Sequence, residues 1–230
     1  MARKPKGYRP KKWRKYKKKG RSVNTSSRSI LPLSYLTRLP YQETVSMVPG
    51  AAGIPQIYVF RLNSLFDPNF TGVGHQPRGF DQLVASDHGT GFYNHYLVCG
   101  AKFSIRVTNQ DSAEPVRFTV AFKDTSPDRD MDDYLESSTY AKSKICGVEG
   151  SGRETQTIVA NWSAKKWFQK PNVTTERDLM GNSLTNPTEV AYLHIVIDSP
   201  LGQEPQNACA VEIKASFASL LTAPVTPGQS

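Results

Sequence analysis

The sequence predicts an all-β fold: a sandwich of two antiparallel sheets built from eight strands, preceded by a disordered basic arm. Three observations predict it. Residues 1–28 hold thirteen Lys or Arg and no Asp or Glu, whereas the remainder holds sixteen basic against twenty acidic residues. From about residue 41, short apolar-alternating runs are separated by turn residues. Helical signals are few across 230 residues.

The arm comes first. The net charge of +9 resides wholly in it, because the rest of the chain sums to −4. Its cations are Arg3, Lys4, Lys6, Arg9, Lys11, Lys12, Arg14, Lys15, Lys17, Lys18, Lys19, Arg21 and Arg28. Self-repulsion and few core-forming groups predict disorder until a partner binds, over residues 1–40. Tyr8, Trp13 and Tyr16 are interleaved among the cations. Phosphate neutralisation beside stacking rings suits single-stranded nucleic acid; docking of the same rings on the body is the alternative. No apolar stretch follows the arm, as a secretory signal would require. Its Lys dominance and its breaks at Pro5, Gly7, Pro10 and Gly20 are unlike an amphipathic transit peptide.

The body is expected over residues 41–223, with a flexible tail at 224–230. "ETVSMV" (43–48) ends at Pro49-Gly50. "QIYVFRLN" (56–63) is apolar on both faces, which predicts a central strand covered on two sides. "AKFSIRVTN" (101–109) alternates, with Phe103, Ile105 and Val107 inward and Lys102, Ser104, Arg106 and Thr108 outward. "VRFTVAFK" (116–123) does the same through Val116, Phe118, Val120 and Phe122. "KICGV" (144–148) and "TQTIVANW" (155–162) are shorter. "EVAYLHIVID" (189–198) is apolar on both faces, and "AVEIKASF" (210–217) alternates. Ser126-Pro127-Asp128 reads as a helix start opening "DRDMDDYLES", and "RGFDQLVAS" (78–86) as one or two turns. Eight strands with long loops fit a jelly roll; an Ig-type sandwich is the rival.

Chemistry is sparse. Cys99, Cys146 and Cys209 are scattered and odd in number, which predicts buried thiols in a reducing compartment over a disulfide or metal site. His75, His88, His95 and His194 fall in no metal spacing, and no G-x-S-x-G elbow occurs. "TGVGH" (71–75) and "HGTGF" (88–92) read as turns. Asp128, Asp130 and Asp132 open like an EF-hand loop, but Asp133 and Thr139 stand where Gly and Glu are required. A cation shared between subunits, or a solvated helix start, remains for that cluster. No catalytic residue, metal site, cofactor or membrane insertion is expected. "SAKKWFQKP" (163–171) is a second basic-aromatic stretch. Lys165, Lys166, Trp167 and Lys170 are candidate secondary nucleic-acid contacts, or else the aromatics pack on the sandwich.

The stretches "YVFRLNSLFDPNFTGVGHQPRGFDQL" (58–83) and "FYNHYLVCGAKFSIRV" (92–107), with the late strand "ACAVEIKASF" (208–217), resemble capsid proteins of circular, replication-protein-encoding single-stranded DNA viruses, the circovirus-like group. The resemblance is sharpest over 58–107 and only in outline over 125–190. It implies a single eight-stranded jelly roll, self-association into a closed shell of sixty copies, and an arm facing inward onto single-stranded DNA. It also implies that the arm serves as a nuclear localisation signal read by host import machinery, so that the protein is found in the virion and the host nucleus. Lys here replaces much of the Arg common in such arms, which weakens bidentate phosphate contacts without removing charge. The coat of a small RNA virus and a cellular nucleic-acid-binding β protein are the alternatives.

Overall fold

The computed structural model describes residues 31–49, 54–85, 91–124, 131–136, 140–203, 205 and 207–225. Among these, nine strands occur: β1 (Ser34–Met47), β2 (Gln56–Arg61), β3 (Tyr93–Thr108), β4 (Val116–Lys123), β5 (Tyr140–Cys146), β6 (Thr155–Ser163), β7 (Met180–Gly181), β8 (Tyr192–Asp198) and β9 (Cys209–Pro224). Three short helices, α1 (Phe80–Leu83), α2 (Met131–Glu136) and α3 (Ala164–Trp167), lie between them. Each of the eight expected strands falls on one of the eight long ones. The two-residue β7 is additional.

Sheet A has the order β1-β9-β3-β6, with β7 beside β3; sheet B has the order β2-β8-β4-β5. Every pairing is antiparallel. Leaving β7 aside, the first long strand pairs with the last, the second with the second-last, the third with the sixth and the fourth with the fifth. Successive pairs alternate between sheets. Nested pairs rolled into two layers are a jelly roll. The chain reverses at each connection. The β2–β3, β4–β5 and β6–β8 connections therefore share one end of the sandwich with residue 31.

The sheets meet over Phe103, Ile105, Val107, Ile213 and Phe217 from sheet A, and Phe60, Phe118, Val120, Leu193 and Ile195 from sheet B. Phe103 is central, 5.7 Å from Phe217 edge-to-face and 6.4 Å from Phe60. Each such side chain contributes about 1.5–3 kcal/mol by leaving water. On the far side of sheet B, Tyr134 of α2 packs on Ala121 and Val196. That helix explains why β8 is apolar on both faces.

Three expectations need correction. Residues 34–40, assigned to the arm, are the first half of β1, paired with β9 from Ser34↔Thr222 onward. The body likewise includes Pro224, the last residue of β9, and Val225, whose N–H donates to Phe92 O at 2.8 Å, both assigned to the tail. Strand β2 is an edge strand, not a central one. Its inner face, Tyr58 and Phe60, joins the inter-sheet core, while Ile57 on the other face packs against the Tyr134 cluster. The following loop returns along its edge, with Arg61 N donating to Pro68 O at 2.7 Å and Phe70 N to Val59 O at 3.1 Å. The helix expected from Ser126 is present at Met131–Glu136; its proposed cap lies outside the described residues.

Candidate nucleic-acid interface

All thirteen arm cations, with Tyr8, Trp13 and Tyr16, lie outside the described residues. What the fold fixes is where the arm is rooted. Tyr93 Oη donates to Pro32 O at 3.2 Å, and the Tyr93 ring stacks on Tyr35 at 6.2 Å. The arm thus enters the edge strand of sheet A at the end where residue 31 lies.

The second basic-aromatic stretch is at the same end. It is α3 and the turn after it, on the opposite edge of sheet A, where β6 stops. Three strand spacings, about 14 Å, separate the two edges. Trp167 is half-buried, edge-to-face on Phe122 at 6.3 Å, and Phe168 stands edge-to-face on Trp162 at 6.1 Å. The aromatics therefore pack on the sandwich. Gln169 takes a left-handed φ of 53° to turn the chain. Lys170 Nζ reaches Glu176 Oε2 at 2.7 Å, and that carboxylate raises the Lys170 pKa. Lys165 and Lys166 are exposed. Lys166 borders a cleft of ≈ 1140 Å³ that Phe122, Tyr140, Trp162, Trp167 and Tyr192 also line.

Between these edges lies the outer face of sheet A. Arg38, Lys102, Arg106 and Lys214 project from it, all exposed. Glu212 is their counter-charge, 2.6 Å from Lys214 and 3.9 Å from Arg106. The Lys214 ammonium lowers the Glu212 pKa, with desolvation opposing it. Ser104, Ser216, Ala210 and Thr108 fill the same face with small side chains. Sequence alternation marks Lys102 and Arg106 as outward but cannot align them with Arg38 and Lys214, which are distant in the chain.

The motif at 58–83 holds the scaffold. Arg61 Nη1 bonds Asp67 Oδ2 at 2.6 Å, and the guanidinium lies 5.0 Å from the Phe70 ring centroid. Asn63 donates to Glu189 O at 2.7 Å and accepts from Ala191 N at 3.1 Å. Ser64 Oγ donates to Asn186 Oδ1 at 2.6 Å and meets Tyr96 Oη at 3.2 Å. The Gly-x-Gly of 72–74 is a turn, as expected, with Gly72 at φ 72°.

His194 is buried, Nδ1 3.0 Å from Tyr134 Oη. His75 is at the surface with each ring nitrogen 2.8 Å from a backbone carbonyl oxygen, of Gln76 and Gln42. His88 and the side chains of the 128–133 acidic cluster lie outside the described residues. Among the described residues, no three or more His, Cys, Asp or Glu gather as a metal site would require. The three cysteines are free. Two are buried and Cys99 is partly so, where all three were expected buried. Burial pushes the Cys146 thiol to about 11 and the Cys209 thiol to about 12, which leaves both unreactive at neutral pH. No described helix is long and apolar enough to cross a membrane.

No family model matches the chain, and no curated protein matches it in sequence. Solved structures do match in shape. Desmodium yellow mottle tymovirus aligns at TM-score 0.45 and 14% identity, over 89% of this chain and 99% of that one. The cryo-EM structure of mud crab tombus-like virus aligns at 0.47 and 12%, over 90% and 96%. A 60-mer of the BFDV capsid protein aligns at 0.44 and 15%, over 85% and 98%. The likeness is one of fold.

Proposed function

We propose that this chain is a structural coat subunit that self-associates into a closed shell and packages single-stranded nucleic acid with its N-terminal arm. It catalyses no reaction. The observation that carries this reading is the joining of thirteen unopposed cations directly to the edge strand of a jelly roll. The arm supplies a sequence-independent grip through phosphates. The body, at −4, supplies the tile. The exposed Lys165 and Lys166 stand at the same end as the arm root and extend that grip. Trp167 and Lys170 take part less, because one ring is held by Phe122 and one ammonium by Glu176.

We take the packaged genome to be DNA and the shell to contain sixty copies, on the sequence resemblance at 58–107. Sixty arms would bring roughly 780 positive charges inside, enough for a similar number of phosphates. The resemblance also makes the arm a nuclear import signal. Phosphate contacts do not distinguish DNA from RNA. Electron microscopy of the purified full-length protein tests the reading. Uniform closed particles are expected, and sequencing their contents decides between DNA and RNA. A protein that stays monomeric with saturating nucleic acid is a binding module, and the coat reading then fails.

A further inference from the structure

The loop between β2 and β3 is fastened to the free edge of sheet A. Among the described residues, strand β1 has only β9 as a neighbour, so one side of its backbone faces outward. Two of its carbonyls, two residues apart, are taken by this loop: Arg78 N donates to Pro40 O at 3.0 Å, and His75 Nε2 lies 2.8 Å from Gln42 O. The other ring nitrogen, Nδ1, lies 2.8 Å from Gln76 O. Both acceptors are carbonyl oxygens with nothing to donate. A neutral imidazole carries one N–H and can satisfy only one of them; an imidazolium satisfies both.

We propose that His75 is a proton-dependent latch: as the imidazolium it clamps the β2–β3 loop over the edge of β1, and as the neutral ring it loses one of its two bonds and frees that edge at Gln42, with the Arg78–Pro40 bond left as the remaining fastening.

The surroundings favour the charged form. From β1, the Tyr41 ring stacks under the imidazole at 4.6 Å, where its face attracts a cation. The Glu43 carboxylate lies beyond it and accepts from Tyr41 Oη, from Tyr58 Oη of β2 at 3.3 Å and from Asn69 Nδ2 at 2.9 Å. From the loop and α1, Asp67, Arg78 and Asp81 border the same groove. Asp67 is engaged by Arg61 at 2.6 Å. The bonds to Gln76 O and then Gln42 O raise the His75 pKa, with burial opposing them. Tyr41 does not compete in the titration, because burial and then its bond to Glu43 push its phenol far up. A histidine raised on folding stabilises fully below its unfolded value of about 6.5, and that support is lost as pH rises through the folded value. The latch is therefore closed in acid and opens toward alkaline pH. An uncovered β1 edge offers Gln42 to a strand of a second copy. None of this depends on what the arm binds.

Hydrogen exchange on the full-length protein tests it, at pH 5.5 and 8.5 with the intrinsic pH effect removed. Peptides covering 71–79 and 36–46 should open about threefold or more at the higher pH. His75→Gln keeps a donor but cannot titrate, and the pH difference should vanish. A His75→Gln protein with the same pH response as the parent overturns the latch. As a second measurement, the ring-nitrogen NMR shifts of His75 should report two N–H groups at pH 5.5. Their midpoint should coincide with loop opening. A ring that titrates while loop exchange stays constant also overturns it.

Discussion

Asn63 serves as a piece of backbone. Only 1% exposed, it bridges the end of β2 to Glu189 O and Ala191 N, continuing the β2–β8 pairing after the strand has ended. Asn63→Ala leaves the buried Ala191 N–H without this partner, at a cost of about 1–3 kcal/mol, while the carbonyl of the exposed Glu189 can turn to water. A loss of about 1–3 kcal/mol in a urea titration is expected. From the sequence, Asn63 reads only as the last residue of the strand at 56–63, and its partners lie 126 and 128 residues away. The resemblance marks the motif, yet only the fold shows that its job is pairing. Gly74 is similar. A Cβ there would lie 2.7 Å from Asn69 Cβ and 2.9 Å from Tyr41 Oη. Gly74→Ala should cost about 1–3 kcal/mol by overpacking. It should also raise exchange in the β2–β3 loop at every pH, which separates it from the His75 effect.

At the level of elements, short β-type runs bounded by turn residues located the eight long strands, and alternation marked the half-buried ones among them. It failed where burial came from elsewhere. Residues 93–100 of β3 do not alternate cleanly, since the register shifts between Val98 and Gly100. Strand β7 is too short for any pattern. Its place is set by Gly181, whose missing Cβ makes room for the Tyr96 ring. The first half of β1 has exposed Leu36 and Tyr35 and follows the basic stretch in the sequence, so composition alone assigns it to the arm. Element α3 separates two roles that are mixed in "SAKKWFQKP". Trp167→Ala should cost about 2 kcal/mol, less than for a fully buried Trp because the ring is half-exposed. It should leave nucleic-acid affinity nearly unchanged. Replacing both Lys165 and Lys166 by Ala should leave the denaturation midpoint in place. It should flatten the dependence of log affinity on log salt by up to about 1.4, at roughly 0.7 for each phosphate no longer neutralised. An unchanged slope would remove both lysines from the interface.

Across the whole molecule, charge and packing are segregated, and the boundary is sharp. The two-sheet core begins at β1, while the last arm cation is Arg28. Deleting residues 1–28 therefore takes away +13 and leaves a body of −4, with every described core side chain retained. Stability should follow the core, so the thermal midpoint of the truncated protein should match that of the full chain. Binding should follow the arm. Thirteen cations on single strands set a limiting slope of about −9 for log affinity against log salt, and every phosphate left uncontacted makes it shallower. The truncated protein should keep only the shallow slope that Lys165, Lys166 and the outer face of sheet A can support. Filter binding across 50–500 mM salt (about a decade) spans that range of slopes. Two outcomes sink the division of labour: a full chain whose affinity is flat in salt, or a truncated chain that packages nucleic acid as fully as the parent. The second would move the grip to the exposed Arg38, Lys102, Arg106 and Lys214 on the outer face of sheet A, where Glu212 pairs with Lys214 and Arg106.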